Sequence, residues 1–143
     1  LEPHVAAATM DLIRDMQSMR NMAMIIATSD LRTAGALADR VGVVYGGSIV
    51  EQGPAAEIYH NPKHPYTSGL IGSIPGAGQG RLRVIPGEAR RLFDMDRTGC
   101  VFADRCSLVS DICLSTPPEV RTIGLTSVAC HHADTDGLPG LTP

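Results

Sequence analysis

The sequence has no tryptophan, two phenylalanines and three tyrosines. A core is therefore expected to rest on Val, Ile, Leu, Ala and Met. A basic excess is also missing: 12 Lys and Arg face 15 Asp and Glu, a formal net charge of −3. Nucleic-acid binding needs clustered cations. The one small basic group is Arg81, Arg83, Arg90 and Arg91, so no nucleic-acid partner is expected. No apolar run reaches the roughly 18 residues of a membrane span. Docking on a membrane protein needs no such span. The opening Leu1-Glu2-Pro3-His4 has neither the basic nor the apolar region of a secretion signal. It reads like the middle of an element, and the expectation is a fragment or a chain missing its N-terminal part. The apolar fraction, 43%, is that of a folded protein and argues against chain-wide disorder.

The first half alternates helix and strand patterns. Met10, Ile13, Met16 and Met19 recur every three residues, which predicts a helix over residues 6–20 ending at Asn21. The run Met22 to Thr28 is short, continuous and apolar, and predicts a strand buried on both faces as in a parallel sheet. Ser29 or Asp30 can cap a following helix that reaches about Asp39. Val41 to Tyr45 and Ser48 to Gln52 flank the turn pair Gly46-Gly47 and predict a hairpin. Gly53-Pro54 ends it and opens a short helix over residues 55–60. This order predicts the closing portion of an α/β layer.

The second half is broken by Pro62, Pro65, Pro75 and Pro86, with one short helix, residues 66–73, between the breakers. Gly76 to Gly80 reads as a flexible joint, and a domain boundary is expected near residues 74–80. The Gly- and Pro-rich segment 134–143 is expected to be a frayed tail.

All the cysteines, Cys100, Cys106, Cys113 and Cys130, fall within this half at spacing C-x5-C-x6-C-x16-C. Two disulfides, a four-thiolate zinc site and an iron–sulfur cluster are all compatible with four cysteines. Zinc ribbons use paired C-x2-4-C knuckles, which are absent. A 4Fe–4S cluster is a wider object with separate iron corners and tolerates looser spacing. Disulfides need an oxidising compartment, to which nothing in the sequence points. The segment has few apolar residues for its length, so some staple is expected. Arg105, His131 and His132 flank the cysteines, and cationic groups there would offset thiolate charge.

Several blocks now form a recognisable set. Asp39 to Gly53 resembles the ADRVxVMYxGxIVExG stretch of dipeptide and oligopeptide permease ATP-binding subunits. Asn61-Pro62-Lys63-His64-Pro65-Tyr66-Thr67-Ser68-Gly69-Leu70 resembles the NPxHPYTxGLL motif that opens the C-terminal extension of that family. Ile85-Pro86-Gly87 is similar to its IPG element in the dipeptide, D-type form. Gly99 to Cys106 is similar to GCxFxxRC, and Pro117-Pro118 and Val128 to His131 to its closing part. The resemblance runs over roughly residues 9–132.

The resemblance implies an α/β fold: residues 1–61 as the C-terminal part of a RecA-like ABC nucleotide-binding domain. It also implies an HPY helix and linker at 62–80 and a small irregular cysteine-rich extension at 81–133. It implies a peptide-importing transporter, peripheral on the cytoplasmic face of the bacterial inner membrane. The partners would be a second ATP-binding subunit or half, two transmembrane permease subunits and, indirectly, an extracytoplasmic peptide-binding protein. ATP and Mg²⁺ would serve the intact protein, and Cys100, Cys106, Cys113 and Cys130 would hold a 4Fe–4S cluster. The competing class is a non-enzymatic interaction or structural module holding zinc or iron–sulfur.

The chain departs from the family in three places. It has no G-x-x-x-x-G-K-S/T loop to cradle phosphates and no LSGGQ-like motif, so this chain alone is expected neither to bind ATP tightly nor to hydrolyse it. Glu2-Pro3 resembles the end of a Walker B strand, with Glu2 as base for the attacking water. However, Leu1 stands where the family has Asp, and Glu2 lies several residues nearer Met10 than the family spacing allows. Thr28-Ser29-Asp30-Leu31 stands where the family has THDL, whose His contacts the γ-phosphate. Ser29 has neither the reach nor the charge of imidazole, which implies a degenerate nucleotide site on this half.

Overall fold

The structure, a computed structural model, describes residues 3–75, 84–89 and 91–133. Glu2, the joint at 76–80, three of the four grouped arginines (Arg81, Arg83, Arg90) and the tail 134–143 lie outside the described residues. Contacts divide the chain into two units, with the division after Ala38.

The first unit contains two helices. α1 spans Pro3–Arg20 and α2 spans Leu31–Leu37. α1 stops where expected, because Asn21 takes the left-handed conformation (φ 47°) that ends helices. Arg14 donates from its guanidinium to the Ala36 carbonyl at 2.7 Å, tying the two helices. Asp30, not Ser29, caps α2: one carboxylate oxygen accepts from the Arg32 N–H (3.0 Å) and the other from the Thr33 hydroxyl (2.6 Å). These bonds hold the Asp30 carboxyl below its ordinary pKa.

The strand expected over Met22–Thr28 is not formed. These residues are irregular and exposed, and Ile25 is fully solvent-accessible. A strand exists only by pairing, and no neighbour strand stands beside this one among the described residues. The expectation of a parallel sheet fails with it.

What forms instead, in the second unit, is an antiparallel sheet of order β1-β2-β4-β3. β1 is Arg40–Tyr45, β2 Ser48–Pro54, β3 Val120–Ile123 and β4 Thr126–Ala129. Gly46 and Gly47 turn the first hairpin with φ of 56° and 74°, a pair of positive values that L side chains rarely adopt. The second hairpin was not anticipated. Val120 to Ile123 alternates weakly, and its turn rests on Gly124 (φ 61°).

β2 pairs with β4 through Glu51 opposite Val128 and Gln52 opposite Ser127. The ATPase-like hairpin and the cysteine segment therefore share one sheet. The sequence divisions at residues 61/62 and 74–80 fall inside this unit.

α3 (Ala55–His60), α4 (Pro65–Gly72) and α5 (Asp111–Ser115) complete the unit, with short 3₁₀ turns at Leu92–Asp94 and Ala103–Arg105. Its main core gathers Val43, Tyr45, Val50, Ile58 and Phe102, with Tyr59 and Tyr66 packed against them. The expectation of an aliphatic core is corrected here. All three tyrosines and one of the two phenylalanines converge on this core. Tyr45 meets Tyr66 and Phe102 edge-on, with ring centroids 4.6 and 5.1 Å apart. A few large rings bury more apolar area than the same number of aliphatic side chains, so a small core can rest on them.

Candidate functional site

Phe102 lies between Cys100 and Cys106 in the sequence, so anchoring its ring in the core fixes the backbone that carries both thiols. The chain around them is folded tightly. The Cys100 N–H donates to the Cys113 carbonyl (2.8 Å), the Ala103 N–H to the Cys100 carbonyl (3.0 Å) and the Cys106 N–H to the Ala103 carbonyl (3.2 Å). The approach of Cys100 to α5 requires glycine just before it. A Cβ on Gly99 would collide with the Cys113 carbonyl oxygen and stand 2.8 Å from the Leu114 carbonyl carbon. β4 delivers Cys130 at its end, and the Arg121 guanidinium of β3 secures that end by donating to the Cys130 carbonyl at 2.9 Å.

The four thiols are free, and Cys113 and Cys130 are buried. Each pair among them is near enough for like-charge repulsion: Cys100 with Cys113, Cys106 with both, and Cys130 with all three. Burial, helped by that repulsion, pushes the Cys100 and Cys106 thiols above the ordinary value and Cys130 up to about 11. N–H groups act the other way. The Leu108 N–H points at Cys106 Sγ (3.3 Å) and the His132 N–H at Cys130 Sγ (3.4 Å). Those of Phe102 and Ala103 favour the Cys100 thiolate.

Backbone N–H groups thus favour the thiolate at three of the four sulfurs, while burial and mutual repulsion oppose it. Tetrahedral zinc demands all four within about 2.3 Å of one ion. Among the described residues no group of three or more His, Cys, Asp or Glu is gathered closely enough for a single metal ion.

The flanking Arg105, His131 and His132 side chains each have a hydrogen-bond partner of their own. The Arg105 guanidinium donates to the Pro86 and Ile85 carbonyls (2.8 and 3.3 Å), clamping the IPG turn onto the cysteine segment. His131 Nε2 contacts the Thr116 carbonyl at 2.9 Å. His132 contacts the Ser110 hydroxyl at 2.8 Å, a partnership the sequence did not signal.

A second buried constellation explains the HPY motif. Glu51 on β2 is fully buried, and its carboxylate oxygens accept from the Lys63 N–H (2.6 Å) and the His64 N–H (3.0 Å). Burial pushes the Glu51 carboxyl up, opposed by the Thr67 hydroxyl and these two N–H groups. The Thr67 hydroxyl completes no well-formed hydrogen bond, so its help is electrostatic at a looser geometry. His64 is itself buried and caps α4, its Nδ1 accepting from the Tyr66 N–H (3.1 Å). An accepting Nδ1 requires the neutral ring protonated at Nε2, and burial lowers its pKa to about 4. Pro65 follows at the first helical position, where its missing N–H costs nothing. The His-Pro-Tyr order thus supplies cap, helix start and core ring in succession. Ser29 is exposed in the other unit.

Comparison with known proteins agrees with these features. The family described as "Oligopeptide/dipeptide transporter, C-terminal region" matches residues 50–113, from β2 through the HPY turn to the third cysteine. A putative peptide import ATP-binding protein of Brucella abortus (strain 2308) is 38% identical over 132 residues, 92% of this chain and 39% of that protein. The dipeptide transport ATP-binding protein DppD of Haemophilus influenzae is 35% identical over 137 residues, 92% of this chain and 40% of that protein. A further relative in Brucella melitensis, also a putative peptide import ATP-binding protein, is 37% identical over 140 residues. The chain spans about two fifths of the length of these curated relatives. It belongs with the C-terminal portions of peptide-import ABC ATP-binding proteins.

Proposed function

We propose that the chain is part of the ATP-binding subunit of a peptide-importing ABC transporter, whose C-terminal segment carries a 4Fe–4S cluster on Cys100, Cys106, Cys113 and Cys130. The alignment of 92% of the chain with proteins named for peptide import supports the transport assignment. In the intact protein, ATP and Mg²⁺ binding would drive import through two permease subunits at the cytoplasmic face of the membrane. A second ATP-binding subunit would complete the nucleotide sites, and an extracytoplasmic binding protein would supply the peptide.

The single observation that carries the cluster assignment is the mutual proximity of four thiols, three of which (Cys100, Cys106 and Cys130) have backbone N–H groups turned to the sulfur, with Cys100 and Cys106 packed against the Tyr45–Phe102 core. Bound there, the cluster supplies positive charge and a cross-link between segments far apart in sequence. The protein's own residues do the rest. Phe102 and Gly99 place Cys100 and Cys106, α5 places Cys113, and β4 places Cys130. Because Phe102 belongs to the core of the hairpin, the cluster acts as a structural staple of the whole second unit. Anaerobically purified protein is expected to be brown and to contain iron and acid-labile sulfide. Colourless protein with one zinc would defeat the assignment.

The nucleotide site on this half is read as degenerate, because Ser29 replaces the γ-phosphate-contacting His of the resembling family. Glu2 remains the candidate base of that site. Ser29→His in the intact protein is expected to raise ATPase turnover; a large loss would refute the degenerate reading.

A further inference from the structure

The Gly46-Gly47 turn borders a hollow of about 380 Å³ in the second unit. Its walls come from segments far apart in sequence: Val44 of β1, Tyr66 of α4, and Ala89 and Met95 from the stretch before the cysteines. The wall is closely built. A Cβ on Gly46 would stand 2.6 Å from Met95 Sδ, so glycine is what lets the thioether lie against the turn. Tyr45 also lines the hollow, although the residue is only 7% exposed. Its ring meets that of Tyr66 edge-on, with centroids 4.6 Å apart. Among the described residues neither phenol hydroxyl has a hydrogen-bond partner, and neither is sealed from water as the Thr67 hydroxyl is. A buried phenol ordinarily finds a partner, so both of these stand ready for one that enters the hollow. Burial, reinforced by Tyr45, raises the Tyr66 pKa against the opposing charge of Arg105. The Tyr66 hydroxyl therefore keeps its proton at neutral pH and is a donor.

Positive charge stands at the edges. Arg97, an exposed residue, donates to the Gly46 carbonyl at 3.1 Å. Arg105, held by the Pro86 and Ile85 carbonyls, is near enough to act on Tyr66. Carbonyl partners leave a guanidinium charge unneutralised, and neither arginine meets a carboxylate among the described residues. Glu88, Asp94 and Asp96 neighbour Ala89 and Met95 in sequence but do not line the hollow, and Asp96 accepts from the Thr98 N–H of its own loop (2.9 Å). Two phenol donors, uncompensated positive charge and an apolar wall suit an anion with an apolar body. We infer that the hollow binds a carboxylate carried on a small apolar molecule. The Tyr45 and Tyr66 hydroxyls donate to the carboxylate, and Val44, Ala89 and Met95 cover the apolar part. A free aryl acid and the C-terminus of a short apolar peptide share this chemistry. The size lies at the lower end of the roughly 300–1,000 Å³ usual for small-molecule sites, room for one such molecule. Neither the cluster nor the transport reading is needed for this inference, because none of its residues is a cysteine or belongs to a nucleotide site.

The test is isothermal titration calorimetry of the intact protein with phenylacetate, with the dipeptide leucyl-leucine and with neutral phenylacetamide. Saturable binding of phenylacetate or leucyl-leucine is expected, and the tighter of the two identifies the source of the carboxylate. Phenylacetamide should bind about tenfold more weakly than phenylacetate, because hydrogen bonds to an ionised acceptor are the stronger ones. Tyr45→Phe and Tyr66→Phe each keep the ring that the core uses and remove only the hydroxyl. The double variant should lose about tenfold or more in affinity with an unchanged circular dichroism spectrum. Tyr59→Phe, in the same core but away from the hollow, should bind as wild type does. Three results overturn the inference: no saturable binding of either carboxylate, equal affinity for acid and amide, or a double variant that binds like wild type. If Tyr45→Phe does not fold, Tyr66→Phe and the space-filling Ala89→Trp at an exposed position decide. Weakened binding in both supports the site, and wild-type affinity in either overturns it.

Discussion

Replacing Glu51 tests the account of the HPY motif most directly. The carboxylate accepts two N–H groups, from Lys63 at 2.6 Å and His64 at 3.0 Å, in a site without solvent access. Hydrogen bonds to a charged group contribute about 1.5–3 kcal/mol each, and a buried N–H left unpaired costs about 1–3 kcal/mol. Against this stands the cost of burying the charge, which raises the Glu51 pKa. Glu51→Gln removes that cost and keeps one accepting oxygen, but turns an amide NH₂ toward the other N–H. The net expectation is a loss of about 1–2 kcal/mol at neutral pH. Glu51→Ala strands both N–H groups and leaves a void, for about 3–4 kcal/mol.

The pH dependence supplies a second signature. A folded pKa above the unfolded one means that the native state binds more protons, so Glu51 makes the wild type less stable as pH rises from about 4.5 through the folded value. The glutamine variant lacks this contribution. Urea denaturation followed by far-ultraviolet circular dichroism, at several pH values, measures both effects. A Glu51→Gln protein as stable as wild type at neutral pH would refute the claim that the Lys63 and His64 N–H groups both need a carboxylate oxygen.

Three further outcomes follow from the same geometry. His64 is buried neutral with a pKa near 4, so the unfolded state takes up a proton first. As pH falls from about 6.5 toward 4, stability should drop by up to about 3 kcal/mol. This opposes the Glu51 trend, and a His64→Asn variant, which keeps a capping oxygen, should lose the acid-side slope in the same titration. Gly99→Ala drives a methyl into the Cys113 backbone; a loss of about 1–3 kcal/mol and a lower iron content per chain are expected. Full stability and iron in that variant would show that the Cys100–α5 contact is looser than described. Phe102→Ala removes a buried ring at a cost of about 3–5 kcal/mol and should lower iron content although Phe102 is no ligand. Undiminished iron in a folded Phe102→Ala protein would mean that core and thiols are independent.

Much of this was legible before any coordinates, where the signal was local. The end of α1 at Asn21, the Gly46-Gly47 hairpin, the helix after Pro54 and the helix in the HPY block all rest on backbone chemistry confined to a few neighbouring residues. The cysteine segment was recognisable as a block, although spacing alone left its chemistry open. Met22–Thr28 misled for a physical reason. Apolar composition registers the wish to be buried, and whether a strand forms depends on a neighbour to pair with.

The cysteine tail was read from sequence as an appendage. Only the tertiary structure shows β2 paired to β4 and Phe102 seated among Tyr45, Tyr66 and Val50. It also turns Glu51, an unremarked strand residue, into the anchor of the HPY turn. The sequence by itself determined the motif blocks, the local turns and caps, and the number of thiols. The meeting of those blocks was decided by tertiary contact, because pairing and packing join residues that no local pattern connects.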